Sequence, residues 1–453
     1  MEVCQLTTVG NVSVDTIYKY IDNQRKKNIN IPYMYKTYKY RIYPNKEQQM
    51  KMNQFFGCCR FVYNKCIEWY YNAYKSWKEN GTTIGKTPLL TEFKKEYEFL
   101  KECDNAALAY SRSNFEHAIK DFIKSKNGKR KGKRLGFPQF KSKHKSKSTY
   151  KTCDAHGGIR FVDDSHIKLP KMGLVKCVKH RDFDGVIKAV TVEMKPSGKY
   201  YISVMVECNN DSQSYVNKLN NKNNLNVVGL DMSLSDFVVS SHKEDNTIIK
   251  YIRNYRKNEK QLSKLQRKLS KKVNGSNNRI KSKRRLAILH EKIANQRKDF
   301  ITKTAIYFAR KYDVIVLEDI NLQNMSRTLH LGKSVSDLGF GEFRTILEQK
   351  CKEYDTTIIY ANRWYPSSKM CSSCGSINKS LRLSDREWVC TECGTLLDRD
   401  LNAAINLEYY FTNQYNTAGT AEINACGDNV TTLRSFVMQV LSMKQEAPSF
   451  RWV

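Results

Sequence analysis

Apolar and polar residues alternate over YKTYKYRIYP (residues 35–44), the period of a strand with one buried face. Pro44 closes the run, and Asn45 stands where a helix cap belongs, ahead of KEQQMKMNQFFGCCRFVYNKCIEWYYNAYKSW. A loop marked by Gly81 and Gly85 leads into further helical sequence through about Phe122. From Gly158 to Cys208 short strand-like runs return: IRFVDDSHIKLP, LVKCVKH, GVIKAVTVEMK and, after a PSGK turn, YYISVMVEC. These predict a small antiparallel barrel. The 35–44 strand is expected to join it, which makes the helical sequence an insertion in a β-domain.

Beyond an Asn-rich stretch, Asn209 to Asn226, NVVGLDMSLSDFVVSS reads as a strand, an acid, a turn and a second strand. Leu262, Leu265 and Leu269 before GSNN, with Leu286, Leu289 and Ile293 after it, predict an antiparallel helical hairpin over 251–300. KYDVIVLEDINLQNM (311–325) is a buried strand ending in acids, and GEFRTILEQKCKEYD (341–355) is an amphipathic helix. TTIIYANRWYPSS is a strand and loop, and LNAAINLEYYF a helix. Residues 1–32 read as a polar extension, and 411–453 as a tail with little periodicity.

Composition adds a partner. The 453 residues are 40% hydrophobic and 11% aromatic, enough for two to four globular domains. Lys and Arg number 78 against 45 acids, a net charge of +33 that calls for a phosphate backbone. KSKNGKRKGKRLGFPQFKSKHKSK (124–147) holds eleven basic residues and no acid, and its LGFPQF centre is expected to bury two aromatics. The 251–300 hairpin holds 17 basic residues against three acids. No apolar run reaches the ~18 residues of a membrane span, and MEVCQLTTVG lacks a signal-peptide pattern. Most of the 14 cysteines are scattered, as at Cys103, Cys177 and Cys208, which suits a reducing, intracellular setting.

The exceptions are the adjacent Cys58–Cys59 and two CxxC pairs, Cys371/Cys374 and Cys390/Cys393, with fifteen residues between the pairs. Four thiolates at that spacing predict a closed, structural Zn²⁺ site of zinc-ribbon type, and Gly375 and Gly394 permit its knuckle turns. Asp231 and Glu318 end strands, and Asp400 opens a helix. Singly, each reads as a cap or turn residue. Together they read as hard oxygen ligands on one sheet edge, suited to a pair of Mg²⁺ ions and to phosphodiester hydrolysis by an RNase H-like nuclease. Zinc would close a loop of some twenty residues and return the chain to that edge at Asp400.

GLDMSLSDF, VIVLEDINLQNM, GEF, RWYPSSKMCSSCG, WVCTECG and DRDLNAAINL resemble the successive signatures of transposon-encoded TnpB proteins and their Fanzor relatives. YKYRIYP, FGCCRFVYNK, LGFPQFKSKHKSKSTYKT, IKLPKMGLVK and the INACGDNV…MKQEAPSF tail agree, so the likeness runs in order from about residue 35 to 450. These proteins resemble compact ancestors of type V CRISPR effectors. The resemblance implies a multidomain α+β chain. Its parts are an extension (1–32), a wedge β-barrel (33–45 and 134–222), a helical recognition domain (46–133), a RuvC nuclease domain (223–366 and 397–410), a zinc ribbon (367–396) and a tail (411–453). It implies Asp231, Glu318 and Asp400 as the RuvC triad, with Asp398 as a cap or supporting residue and Asp236 and Asp319 as bystanders. Met232-Ser233 departs from the small apolar residue and Gly that many relatives carry there. The loop from Gly81 to Lys86 and the segment near Asn105 are expected to approach the target-adjacent motif.

The implied function is RNA-guided cleavage of double-stranded DNA beside a short motif, with a guide derived from the transposon end. The basic hairpin would lie along the guide–target duplex. The implied setting is bacterial cytoplasm and nucleoid, or a host nucleus or viral factory. The alternative is a guide-dependent DNA-binding regulator without cleavage, which the three intact acids disfavour. A plain zinc-ribbon RNA-binding factor leaves the acids unexplained. With eight dispersed His, no histidine pair of a tyrosine transposase is present.

Overall fold

Asn45 ends one element and starts another. In the computed structural model the alternating segment forms β1 (Met34–Tyr43). The Asn45 side chain then accepts from the Gln48 N–H while the Gln48 side chain accepts from the Asn45 N–H, a reciprocal box that caps α1 (Lys46–Asn80). Gly81 stops α1 in the left-handed conformation (φ 67°), its N–H on Trp77 O. The structure describes residues 34–130, 132–144, 146–153, 158–208, 225–234, 236–249, 253–320, 337–382 and 384–420. The extension over 1–32, the Asn-rich stretch through 224, residues 321–325 of the 311–325 segment and the tail beyond 420 lie outside these.

The chain divides into two compact units, residues 1–211 and 212–453. In the first, β1 pairs antiparallel along its length with β7 (Tyr200–Cys208) and at its end with β5 (Gly173–Val178). The seven-stranded sheet has the order β2-β6-β7-β1-β5-β4-β3, with β2 Ser148–Cys153, β3 Arg160–Asp163, β4 His166–Leu169 and β6 Val186–Met194. Between β1 and β2 the chain forms α1, α2 (Leu90–Glu96) and α3 (Asn105–Lys126). The expected barrel is not closed: among the described residues no ladder joins β2 to β3. Helices cover β2 instead. Tyr150 packs on Phe55 and Phe56 of α1, at ring separations of 5.5 and 5.7 Å. Thr152 donates at 2.6 Å to Asp104, the cap of α3.

The basic segment 124–147 is anchored rather than loose. Phe137 packs between Tyr70 and Phe122, and Asn64 exchanges two hydrogen bonds with the Lys141 backbone. The two aromatics are not both buried as expected, however: Phe137 is half-buried and Phe140 is 62% exposed.

In the second unit, β10 (Val314–Glu318) lies between β8 (Val227–Asp231) and β11 (Thr357–Ala361) and is parallel to both. A short β9 (Val239–Ser240) runs antiparallel on the other side of β8. Buried on both faces, β8 and β10 carry the unbroken apolar text such a strand requires. One face packs Val228, Leu230, Ile315 and Leu317 against α6 (Asn277–Lys311) and α7 (Phe340–Tyr354). The other packs Val227, Val314 and Val316 against Leu407 of α8 (Arg399–Thr420). Between β9 and α6 lies α4 (Lys243–Ile248), whose fully buried Asp245 accepts from Ser240, Tyr307, Lys311 and Tyr312.

The helical hairpin pairs α5 (Asn254–Ser270) with α6 through Leu262, Leu289 and Ile293. Its second arm does not end at 300. Apolar spacing persists through Ile301, Ala305 and Phe308, so α6 runs on to Lys311 as a core helix.

Candidate active site and metal centre

Parallel pairing brings the strand-end acids together. Leu317 registers with Leu230, so Glu318 and Asp231 follow side by side at the carboxyl edge of adjacent strands. The third acid arrives on α8, which can lie close to β8 because position 229 is glycine. A Cβ there would meet Ala404 O at 2.0 Å and Glu408 N at 2.6 Å. Ala403 and Ala404, both fully buried, complete this close approach. Asp400 is thereby set beside the strand ends.

The charges register one another. Burial, then the Glu318 and Asp400 charges, push the Asp231 carboxyl up to about 8, while Arg399 opposes them. Burial raises Glu318 as well, again against Arg399. Asp400 is held at one oxygen: Ser233 donates to Oδ2 at 2.7 Å, and Arg386 Nη1 lies 3.4 Å from it. The Ser233 turn is itself braced, its N–H and C=O paired with Phe237 at 3.1 and 3.0 Å. Phe237 takes φ 77° yet is fully buried among Phe300, Phe340 and Phe343. Asp398 accepts from the Leu401 N–H and caps α8, and Asp319 pairs with Arg363 and Arg344.

The four cysteines form the tighter cluster. Sγ of Cys371 lies 3.7 Å from that of Cys393, and Sγ of Cys374 lies 3.5 Å from that of Cys390. A tetrahedron with Zn–S of about 2.3 Å has edges of about 3.8 Å, so the spacing fits a four-thiolate ion. The two knuckles repeat one design. Gly375 (φ 78°) donates to Cys371 O and Gly394 (φ 69°) to Cys390 O. Among the described residues these cysteines are the one group of possible ligands whose donor atoms all lie within 4.8 Å of one another. The carboxylates stand farther apart, as like charges do, with Asp400 Oδ2 engaged by Ser233 and Arg386.

Two residues with no role in the sequence reading join the centres. Asn402 and Asn406, one turn apart on α8 and buried, donate to Met370 O at 2.7 and 2.6 Å, and Asn406 also to Ser367 O at 2.7 Å. Asn402 Oδ1 accepts from the Ser372 N–H. The segment entering the first knuckle is thus fastened to the helix that carries Asp400. Their signal was present: polar residues at i and i+4 on an otherwise apolar helix face. Arg386, from the loop before β12 (Glu387–Val389), gave no such signal. A further surface lies on α5, where Arg256, Lys260, Lys264, Arg267, Lys268 and Lys271 line an open groove of about 850 Å³.

Residues 201–329 match a family model described as "Probable transposase", and 340–407 one described as "Cas12f1-like, TNB domain". Residues 34–79 match a helix-turn-helix domain, yet here they form β1 and one unbroken helix. The chain is 27% identical to a TnpB-like protein of Acanthamoeba polyphaga mimivirus, over 85% of this chain and 75% of that one. It is 30% identical over 401 residues to a candidate RNA-guided DNA endonuclease of Streptomyces pristinaespiralis, over 88% of this chain and 92% of the relative. The chain belongs to the TnpB family. A further TnpB relative, from Escherichia coli K12 and also described as a candidate RNA-guided DNA endonuclease, is 29% identical over 90% of this chain and 98% of its own. This protein is a multidomain α+β chain with a formal net charge of +33, and none of its described helices is long and apolar enough to cross a membrane.

Proposed function

We propose that the chain is the RNA-guided DNA endonuclease of a transposable element, cutting double-stranded DNA beside a short adjacent motif by RuvC-type hydrolysis. One observation carries the reading: three carboxylates from β8, β10 and α8 share a buried sheet edge, where burial first, and then the charges of Glu318 and Asp400, push the Asp231 carboxyl up to about 8. Gathering acids in a buried edge is costly unless a cation joins them. Asp231, Glu318 and Asp400 fit Mg²⁺, being hard oxygen donors of which Asp400 keeps Oδ1 clear of Ser233 and Arg386. Bound there, Mg²⁺ supplies an activated water and stabilises the departing oxygen. The protein's own part is positional. β8 and β10 fix two carboxylates, Ser233 turns the third, and Arg399 and Arg386 bring positive charge to where a phosphate must approach.

The cysteines hold structural Zn²⁺ in a ribbon inserted in a RuvC, RNase H-like domain, so Asp400 returns to one place. The seven-stranded sheet serves as the wedge domain and 46–133 as the recognition domain. The α5 groove offers a row of cations to the guide–target duplex. The protein works where DNA lies, in a bacterial nucleoid or, with a viral host, a nucleus or viral factory. The test is cleavage by the full chain purified with its copurifying RNA, once that RNA has been sequenced. In Mg²⁺ it cuts a plasmid matching the guide and spares an unmatched one. Equal treatment of both plasmids overturns the reading.

A further inference from the structure

Trp364 is 87% exposed, the most exposed large apolar side chain among the described residues. Its exposure does not come from a loose loop. Arg363 is held by Asp319 Oδ2 at 2.6 Å, and the Trp364 N–H donates to Asn362 Oδ1 at 3.0 Å. Tyr365 donates to Asn406 O at 3.0 Å and packs its ring 4.8 Å from Tyr410. The chain is thus pinned on both sides while the indole points away from the scaffold. Aromatic side chains usually bury 150–250 Å², so an unburied one on a fixed turn is available to a partner.

Its position says which partner. β11 pairs in parallel with β10, with Ala361 opposite Glu318. Trp364 follows three residues later, so it lies at most about 10 Å beyond the level of Glu318, at the same carboxyl edge. Asp319, the residue that holds Arg363, is the immediate neighbour of Glu318. The surroundings are polar and cationic, with Asn362, Arg363 and Lys369 exposed, which suits a phosphate chain rather than an apolar protein face. We propose that Trp364 is a stacking platform for an unpaired base of the DNA strand entering the carboxylate edge, and that it positions the scissile phosphate. A base offers its face only when it has left the duplex, and stacking tolerates any sequence. A guided nuclease, whose target sequence varies with its guide, needs that tolerance.

The inference rests on the endonuclease reading, and two readouts separate them. The first is cleavage of guide-matched duplex under single-turnover conditions by the full chain with its RNA. Trp364→Ala is expected to cut about tenfold more slowly with target binding unchanged. Trp364→Phe should keep most of the rate, and Trp364→Leu should behave as alanine. The second readout needs no cleavage: in an Asp231→Ala background, 2-aminopurine is placed at successive positions near the cut site. One position is expected to be quenched with Trp364 and to brighten in Trp364→Ala. Unchanged fluorescence at every position overturns the proposal, as does a Leu variant that cuts as fast as Phe. Loss of guide RNA binding by Trp364→Ala, with each remaining complex cutting normally, overturns it in favour of an RNA contact. Quenching by Trp364 in the Asp231→Ala background, with no cleavage by the wild-type chain, overturns the endonuclease reading alone.

Discussion

Gly229→Ala puts a methyl group where the α8 backbone already lies. The added carbon meets Ala404 O at 2.0 Å, Glu408 N at 2.6 Å and Leu407 Cβ at 3.0 Å. Ordinary contact begins near 3.5 Å, so α8 must withdraw from β8 by about 1.5 Å. Two of the three obstacles are backbone atoms, and no rotamer change relieves them. Overpacking of this kind costs about 1–3 kcal/mol, which lowers the Tm of a unit this size by about 2–12 °C. The larger effect is on chemistry, because α8 carries Asp400. Misplacing a reacting group by ~1 Å costs about 100-fold in rate, so single-turnover cleavage should fall at least that far. Thermal melting and cleavage by the guide-loaded chain measure the two effects. Gly57→Ala is the control: its Cβ meets only Arg60 Nη2, at 4.0 Å, in mid-helix, where alanine adds about 0.5–1 kcal/mol. If Gly229→Ala melts and cuts like wild type, α8 is not held against β8 as described and Asp400 is not placed by that contact.

Asn402→Ala and Asn406→Ala should each be mild, because both residues donate to Met370 O. The double variant leaves Met370 O and Ser367 O without these donors and should lose more than the sum, about 2–4 kcal/mol, in denaturant titration. The raised pKa of Asp231 gives a pH signature. Its stabilising contribution without metal is complete below about pH 4 and is lost as pH rises through about 8. Mg²⁺ competes with that proton, so the Tm gain on adding Mg²⁺ should grow from about pH 6 to 8.5 and lose this growth in Asp231→Asn; a flat gain in wild type contradicts the assignment. Chelation should release one Zn²⁺ per chain, measured by a colorimetric dye, and lower Tm, whereas Cys374→Ser should arrive with its site already weakened.

Much of this was legible in the chain where a feature is local. Alternation over 35–44 corresponds to Met34–Tyr43, the Asn45 cap lies three residues before its partner Gln48, and CxxC spacing brings four sulfurs together. What stayed hidden is non-local or disguised. β2, STYKTC, continues the Lys/Ser rhythm of the basic run before it, so its strand character shows only against Tyr150's partners Phe55 and Phe56. The 35–44 strand joins the later strands as expected, but its partner β7 and their register, between positions more than 150 residues apart, are recorded by no periodicity. Short alternating strands specify neither a barrel nor an open sheet; the helices packed on β2 decide that. Asn402 and Asn406 stand out as polar positions at i and i+4 on an apolar helix face, but what they hold shows only once Met370 O and Ser367 O lie beside them. Arg386 acquires meaning only from the fold that brings it to Asp400.

The central claim is that Asp231, Glu318 and Asp400 act as one metal-dependent site. Single-turnover cleavage of a guide-matched duplex in Mg²⁺, with target binding measured in parallel, tests it most directly for the three single alanine variants. Each variant should bind the target like wild type and lose about 10³-fold or more in rate. A variant that binds normally and cuts at the wild-type rate removes its residue from the site and contradicts the account.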